Sequence, residues 1–421
     1  MTPRTVSVPE IDISRINLLD RDRYAATGVP HDWFTELRRN APVAHHPEPD
    51  GPGFYVFSRH ADVVAIGRDP AHFSSDARLG PNFMLEEPTP EQAALLAVAE
   101  GGETLLGMDP PVHTRYRKLV NRGFTPRMIA MLEEKIRIVT AAVVSEAIER
   151  GEVDFVVDMA ARLPLVVISD LMGIPAADRD LLFRWTNQLM GQDDPEYNSS
   201  LEDAMQAGMD MYSYAQELAD RARREPTDDI ISTLVSADVD GDQLSDMDFN
   251  RFFELLILAG NETTRTAIAN GMKAFLDHPD QFTRLAHDPT LIDTATAEIL
   301  RWASPALFFR RNVIEDVDYK GVALRRGDKV SIWFASANRD EDVFDDPFRF
   351  DIGRNPNPHV TFGGGGPHYC LGAHLARLEL KIFFTELHRR VRNVEALGAP
   401  TFLRSNFLAG IKHLPVRLDP N

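Results

Sequence analysis

The chain has 421 residues, and its 45 basic against 64 acidic side chains give a formal net charge of −19. With 43% hydrophobic and 26% charged residues it has the make-up of a folded globular protein, and its negative field makes nucleic acid and anionic lipid poor partners. A single cysteine excludes an internal disulfide and any multi-cysteine zinc site.

In chain order, the N-terminus lacks the charged-then-apolar pattern of a signal peptide, and no run approaches the ~18 apolar residues of a membrane span. The expectation is a cytoplasmic protein. Residues 42–58 place Gly51-Pro52-Gly53 between two β-prone runs, a hairpin signal. Pro126 to Arg150 has apolar residues at helical spacing and stops before Gly151. Ile174-Pro175 and His278-Pro279 punctuate further helices, because proline ends one helix and suits the first turn of the next. From about Asp248 to Leu276 apolar residues occupy most helical faces, which predicts a helix through the middle of the protein. Residues 312–334 alternate around Lys320-Gly321 and Arg326-Gly327-Asp328 and read as hairpins. No repeat or linker divides the chain. The expected fold class is mainly α with a small β-rich lobe (about 42–58 and 312–334) in one domain spanning 1–421.

The most informative stretch runs from Phe362 through Gly363, Gly364, Gly365, Gly366, Pro367, His368 and Tyr369 to Cys370, Leu371 and Gly372. Four consecutive glycines permit positive φ and close backbone approach. A phosphate loop is excluded, since no Gly-Lys-Ser/Thr follows and no Gly-x-Gly-x-x-Gly enters a helix. Cys370 instead falls at the start of an amphipathic helix expected over 371–388, where the helix dipole and free N–H groups favour thiolate. A nucleophile there wants a histidine base such as His368 or His374, and a buried inert thiol is the plainest alternative. A thiolate beneath a glycine-lined surface also suits the axial position of a haem iron.

These residues resemble the haem signature of the cytochrome P450 family, Phe-Gly-x-Gly-x-His/Arg-x-Cys-x-Gly. One departure is that Phe362 lies eight residues before Cys370, where the commonest pattern has seven. Glu298 and Arg301, on one helical face, are similar to the family's Glu-x-x-Arg motif. Phe350-Asp351-Ile352-Gly353-Arg354 matches the stretch whose arginine joins that pair, which implies a structural role for Glu298, Arg301 and Arg354. Ala259-Gly260-Asn261-Glu262-Thr263-Thr264 matches the oxygen-binding groove. The resemblance implies space for dioxygen at Gly260, a hydroxyl at Thr263 (Thr264 being its rival) and proton relay through Glu262. A helix crossing is the alternative reading of Gly260. His113, Arg117 and Arg311 (with Arg310 in competition) match propionate ligands of the haem, and Phe362, Gly363, His368, Cys370 and Gly372 complete the cofactor set, with Cys370 on the metal.

The resemblance implies a mostly helical, triangular P450 fold binding heme b. The reaction is monooxygenation, in which one atom of O2 enters a C–H bond and the other leaves as water. Ferredoxin and ferredoxin reductase are the implied electron donors. The segment 113–127, with Arg115, Arg117, Lys118, Arg122 and Arg127 and no acid, is a candidate docking patch. By position the pocket wall comprises Phe83, Met84, Leu105, Leu106, Leu256, Ala259, Ala306, Leu307, Phe308, Phe407 and Leu408, an apolar set suited to a hydrophobic substrate. The motifs look most similar to an actinobacterial branch that oxidises steroid side chains, methyl-branched lipids and fatty acids. A terpenoid- or polyketide-tailoring hydroxylase is the rival. A haem-thiolate peroxygenase or gas sensor and a non-haem thiol hydrolase are alternatives from other classes.

Overall fold

A 32-residue helix, Asp246–Asp277, organises the structure. The Ser245 side chain accepts from the Asp248 N–H while the Asp248 carboxylate accepts from the Ser245 N–H, a capping box that starts the helix two residues earlier than the apolar pattern indicates. Its apolar residues face inward on several sides, with Phe249, Phe253, Ile257, Ile268, Met272 and Phe275 all buried. It therefore contacts helices Arg162–Leu171, Leu201–Arg224, Ile292–Ala303 and Ala373–Arg390 at once. Gly271 marks the tightest crossing, because a Cβ there would meet Ile299 at 2.7 Å and Phe384 at 2.8 Å. The helix ends at His278, and Pro279 opens the next. The computed structural model describes residues 8–90, 104–124, 126–191, 193–197, 201–227, 229–238, 241 and 243–421.

Helix Pro126–Arg150 occupies the expected residues and packs against the cysteine helix, Ala373–Arg390. The cysteine helix begins two residues later than the sequence indicates, with Gly372 as its N-cap, so Cys370 lies in the approach to the helix. No helix among the described residues is long and apolar enough to cross a membrane.

The β-rich lobe is a five-stranded sheet in the order β1-β2-β8-β5-β3. Strands β1 (Val43–His46) and β2 (Phe54–Phe57) form the expected hairpin, while β3 is Phe73–Ser74, β5 Phe308–Val313 and β8 Lys329–Trp333. Between the last two, β6 (Val317–Tyr319) and β7 (Val322–Leu324) pair around Lys320-Gly321. The second expected hairpin is a different connection. Around Arg326-Gly327-Asp328 the chain passes from β7 into β8, which pairs antiparallel with β5 and parallel with β2.

A second sheet lies outside the expected lobe. Strand β4 (Glu152–Asp154) and the C-terminal β9 (Val391–Ala396) both pair with β12 (Pro415–Pro420), and β10 (Thr401–Phe402) pairs with β11 (Ile411–His413). In β9 only Val391 and Val394 are buried, so the strand carries no apolar alternation to betray it.

Behind the cysteine loop, Glu298 and Arg301 are both fully buried. The arginine reaches both carboxylate oxygens at 2.7 Å, and Arg354 Nε adds a third contact at 3.3 Å. The Asp351 N–H and Asn357 Nδ2 donate to the same carboxylate, each at 3.0 Å. Arg301 also donates to the carbonyls of Asn338 and Pro347, and Arg354 to those of Asp345, Asp346 and Arg349. One carboxylate thus ties the Ile292–Ala303 helix to the chain from 338 to 357 by charge-assisted bonds.

Candidate active site

The loop before Cys370 is built from backbone. Gly363, Gly364, Gly365 and Gly366 all have positive φ, between 63° and 105°. A Cβ on Gly366 would sit 2.2 Å from the Gly67 carbonyl oxygen, and one on Gly364 would touch Val64. These glycines therefore let the loop lie against the end of helix His60–Gly67. Gly363 meets nothing closer than the His368 carbonyl oxygen, at 3.6 Å. The turn closes where the Cys370 N–H donates to the Phe362 carbonyl at 3.0 Å. The extra residue between Phe362 and Cys370 is absorbed here, and the Arg377 guanidinium covers the Phe362 ring at 4.3 Å.

Cys370 is densely surrounded by protein, yet its residue surface is open to solvent, as befits a side chain on the wall of a cleft. Burial pushes its thiol up, opposed by a hydrogen bond from the Gly372 N–H and by the charges of Arg117 and Arg377. The helix start therefore does not by itself make a thiolate. A metal ion does, by displacing the proton outright.

Four basic side chains gather beside this loop. His113 is buried in helix Val112–Val120 with neither ring nitrogen hydrogen-bonded, and its ring lies 4.4 Å from that of His368, whose Nε2 is also unpartnered. Arg117, one turn after His113, donates to the Tyr369 carbonyl at 2.7 Å. Arg311 is buried on β5, donates to the Arg310 carbonyl at 2.7 Å, and acts on His368 through its charge. Burial first, then the Arg117 charge, takes His113 down to about 4; burial, then the Arg311 charge, takes His368 to about 2. Both imidazoles are therefore neutral near pH 7. Burial also lowers Arg311 to about 10. Asp109, whose charge reaches Arg311, is itself held by Ser74 Oγ and the Ser75 N–H. The strand alternation separates Arg311 from Arg310, which is spent on Asn312 Oδ1 and the Leu79 carbonyl.

On the central helix, Ala259 is exposed and Thr263 half-buried, while Ile257, Asn261, Glu262 and Thr264 are buried, so one helical face opens onto space. Thr263 Oγ1 donates to the Ala259 carbonyl at 2.7 Å, a back-bond within the helix. Thr264 is buried on another face. Gly260 departs from expectation. A Cβ there would point at Ile168 of helix Arg162–Leu171, 3.3 Å away, so its small size serves the helix crossing and the open face belongs to Ala259. Glu262 is buried and ion-paired with Arg265, which donates to Asn187 Oδ1 at 2.8 Å. Neither Arg265 nor Asn187 carries a motif that announces it in the sequence.

Among the expected wall residues, Phe83 and Phe407 lie 6.1 Å apart ring to ring, and both are at least partly accessible. Met84, Leu106 and Ala306 are half-buried, while Leu105 and Leu256 belong to the main core. Leu307 and Phe308 are fully buried with Trp333 in a second core cluster, and Leu408 is buried too, so these three are packing residues. The turns that carry them are joined by backbone, through Leu307 N–H to the Phe407 carbonyl at 2.8 Å and Ala409 N–H to the Pro305 carbonyl at 2.9 Å. Of the basic segment, Arg115 and Lys118 are exposed; the side chains of Arg122 and Arg127 lie outside the described residues.

The family model named Cytochrome P450 matches residues 166–393. The chain belongs to the cytochrome P450 family. It is 42% identical over 419 residues to a methyl-branched lipid omega-hydroxylase of Mycobacterium tuberculosis, covering 97% of this chain and 96% of that one. It is 41% identical over 403 residues to a steroid C26-monooxygenase of Rhodococcus jostii, covering 94% of this chain and 83% of the relative. A Mycobacterium marinum cytochrome P450 solved in complex with pseudoionone superposes with a TM-score of 0.89 at 39% identity, over 98% of this chain and 100% of that one. The protein is thus a P450 monooxygenase, and its cofactor is a haem with thiolate-ligated iron.

Glu379, on the cysteine helix of this P450, is buried with one carboxylate oxygen unpartnered, and burial raises it to about 8. Its folded-state pKa lies above the unfolded value, so its contribution to stability is fully present below pH 4.5 and is lost as pH rises toward 8. Between pH 4.5 and 7 the loss is about 3 kcal/mol. In chemical denaturation at several pH values, Glu379→Gln is expected to lack that part of the slope. Parallel curves for the two proteins would refute it.

Proposed function

We propose that this P450 hydroxylates an extended hydrophobic lipid, a methyl-branched lipid, fatty acid or steroid side chain, as a single haem domain fed by ferredoxin and ferredoxin reductase in the cytoplasm. The observation that carries the reading is the lone cysteine on a cleft wall beside Arg117, Arg311 and two imidazoles with unpartnered ring nitrogens. The names of the relatives and the apolar wall around Phe83, Leu106, Ala259 and Phe407 support the substrate class.

The residues present fit a haem. Its two propionates are the anions that His113, Arg117 and Arg311 lack, and two neutral imidazoles, His113 and the half-buried His368, have ring nitrogens without a partner that can meet an acceptor. In this reading Cys370 would hold the iron as thiolate, next to the turn of Phe362 and Gly363, and His368 packs on His113. Bound haem supplies the activation of dioxygen that puts one oxygen atom into a C–H bond. The chain's own task is to hold substrate against Ala259 and Phe407, exclude bulk water and deliver protons. The Thr263 hydroxyl gives its hydrogen to the Ala259 carbonyl, which leaves its oxygen free to accept from a donor in the cleft. Glu262 is the buried acid that exchanges protons behind it. The exposed Arg115 and Lys118 belong to the face proposed to receive an acidic ferredoxin.

Thr263→Ala is expected to keep its haem spectrum but to send most consumed oxygen to hydrogen peroxide. Product formation matching oxygen consumption in that variant would rule out the proton-delivery role. The substrate reading is tested by titrating purified protein with a branched-chain fatty acid, a sterol and a terpenoid, following the spin-state shift, and then identifying products. Terminal hydroxylation of the first or second supports it. A shift confined to the terpenoid would favour the tailoring alternative, for which the pseudoionone complex of the M. marinum protein is the supporting observation.

A further inference from the structure

Glu262 and Arg265 stand one turn apart on the central helix and share a face. Both are buried, at 1% and 8% side-chain exposure. One Arg265 nitrogen holds Glu262 Oε2, and another donates to Asn187 Oδ1 at 2.8 Å on helix Arg179–Met190. The neighbouring Thr186 accepts from Asn261 at 3.1 Å, so two consecutive residues of that helix are tied to the central helix. Glu262 Oε1 is buried with no hydrogen-bond partner. Tyr197 is also within electrostatic reach, its phenol feeling both Arg265 and Glu262.

A carboxylate buried alone costs so much that it takes up a proton instead. Such an acid is a poor relay, because a group that passes protons must gain and lose them near the working pH. Here burial raises Glu262 above its ordinary value, and the Arg265 charge and hydrogen bond oppose that rise. The arginine cannot swing clear at will, because Asn187 holds its far side.

We infer that Arg265, anchored by Asn187, is the positioning residue for Glu262: it favours the charged carboxylate against its burial and leaves Oε1 as an unpartnered acceptor. This rests on the proposed relay through Glu262. It makes the hold of helix Arg179–Met190 on the central helix part of the proton machinery, a role that a packing contact alone does not require.

The test uses substrate-free holoprotein with carbon-13 in its glutamate carboxyls. Infrared spectra of wild type and Arg265→Lys at pH 7 are expected to lack a protonated-carboxyl band for Glu262. Arg265→Met is expected to show one, and the band should vanish in the Arg265→Met/Glu262→Gln double variant. With the reductase partners added, Arg265→Met should lose roughly 10²-fold in coupled turnover, with its pH profile displaced upward, while Arg265→Lys retains most of it. Should Arg265→Met fail to accumulate, Asn187→Ala, which frees the arginine without removing it, is expected to show a weaker band and a smaller loss. Spectra and pH profiles unchanged from wild type in these variants would overturn the inference. Full coupling in Glu262→Gln would instead sink the relay reading, while the infrared result would still decide whether Arg265 keeps Glu262 charged.

Discussion

Cys370→Ser protein is expected to lose completely the reduced, carbon monoxide-bound Soret band at the wavelength that names the family. The chain has no second cysteine, so no other thiolate can substitute. A serine hydroxyl keeps its proton where a thiol gives it up to a metal, and its hard oxygen does not donate charge as sulfur does. The backbone that places residue 370 does not depend on its side chain. The Cys370 N–H to Phe362 carbonyl bond and the four positive-φ glycines remain, so circular dichroism should report unchanged helix content. The basic cluster of His113, Arg117 and Arg311 is also intact in the variant, and residual haem binding with an altered band is the anticipated outcome. A wild-type spectrum in Cys370→Ser would refute the ligand assignment.

Glu298→Ala should be the most damaging single change to stability, at roughly 3–5 kcal/mol. The substitution removes one carboxylate and strands Arg301, which is fully buried, together with most of the charge on Arg354. Asp351 N–H and Asn357 Nδ2 lose their acceptor in the same step. Burial would raise the Glu298 carboxyl, but Arg301, Asp351 N–H and Arg354 together hold it below its ordinary range. Its folded pKa is thus depressed, and the stability it contributes is present above the unfolded value and lost as pH falls through the folded one. Glu298→Gln, which keeps one acceptor oxygen and the side-chain volume but no charge, should be damaged less. Chemical denaturation compares the variants directly, and a loss below 1 kcal/mol in Glu298→Ala would show that the pair is dispensable.

The site was legible where chemistry is concentrated in consecutive residues. The Phe362 to Gly372 loop and the Ala259 to Thr264 stretch each carry several uncommon residues in fixed order, and the structure gathers His113, Arg117, Arg311 and His368 beside the first. Single polar residues that act across space left no such trace. Arg265, Asn187, Asn338 and Asn357 look ordinary in sequence because their partners are tens of residues away or on a different helix. Periodicity also gave the central helix without its rotation. The resemblance implies open space at Gly260, whereas a Cβ there would face Ile168 and Ala259 is the exposed residue, because a motif fixes residue order and not what each face meets. Leu307 and Phe308 follow the same lesson: the strand leads from the cleft into a core closed by Trp333. The C-terminal sheet escaped because half-exposed strands such as β9 keep too few apolar residues to alternate.

The turns at 305–307 and 407–409 are joined by main-chain hydrogen bonds, whose acceptors can be any residue and whose donors any residue other than proline. The position of that part of the wall is therefore set independently of the side chains it displays. Phe407 can be exchanged for smaller or branched residues without moving the scaffold beneath it. A library at residue 407 should accordingly separate changes in the preferred carbon from losses of fold, which makes this turn the natural place to retrain the enzyme for a new substrate.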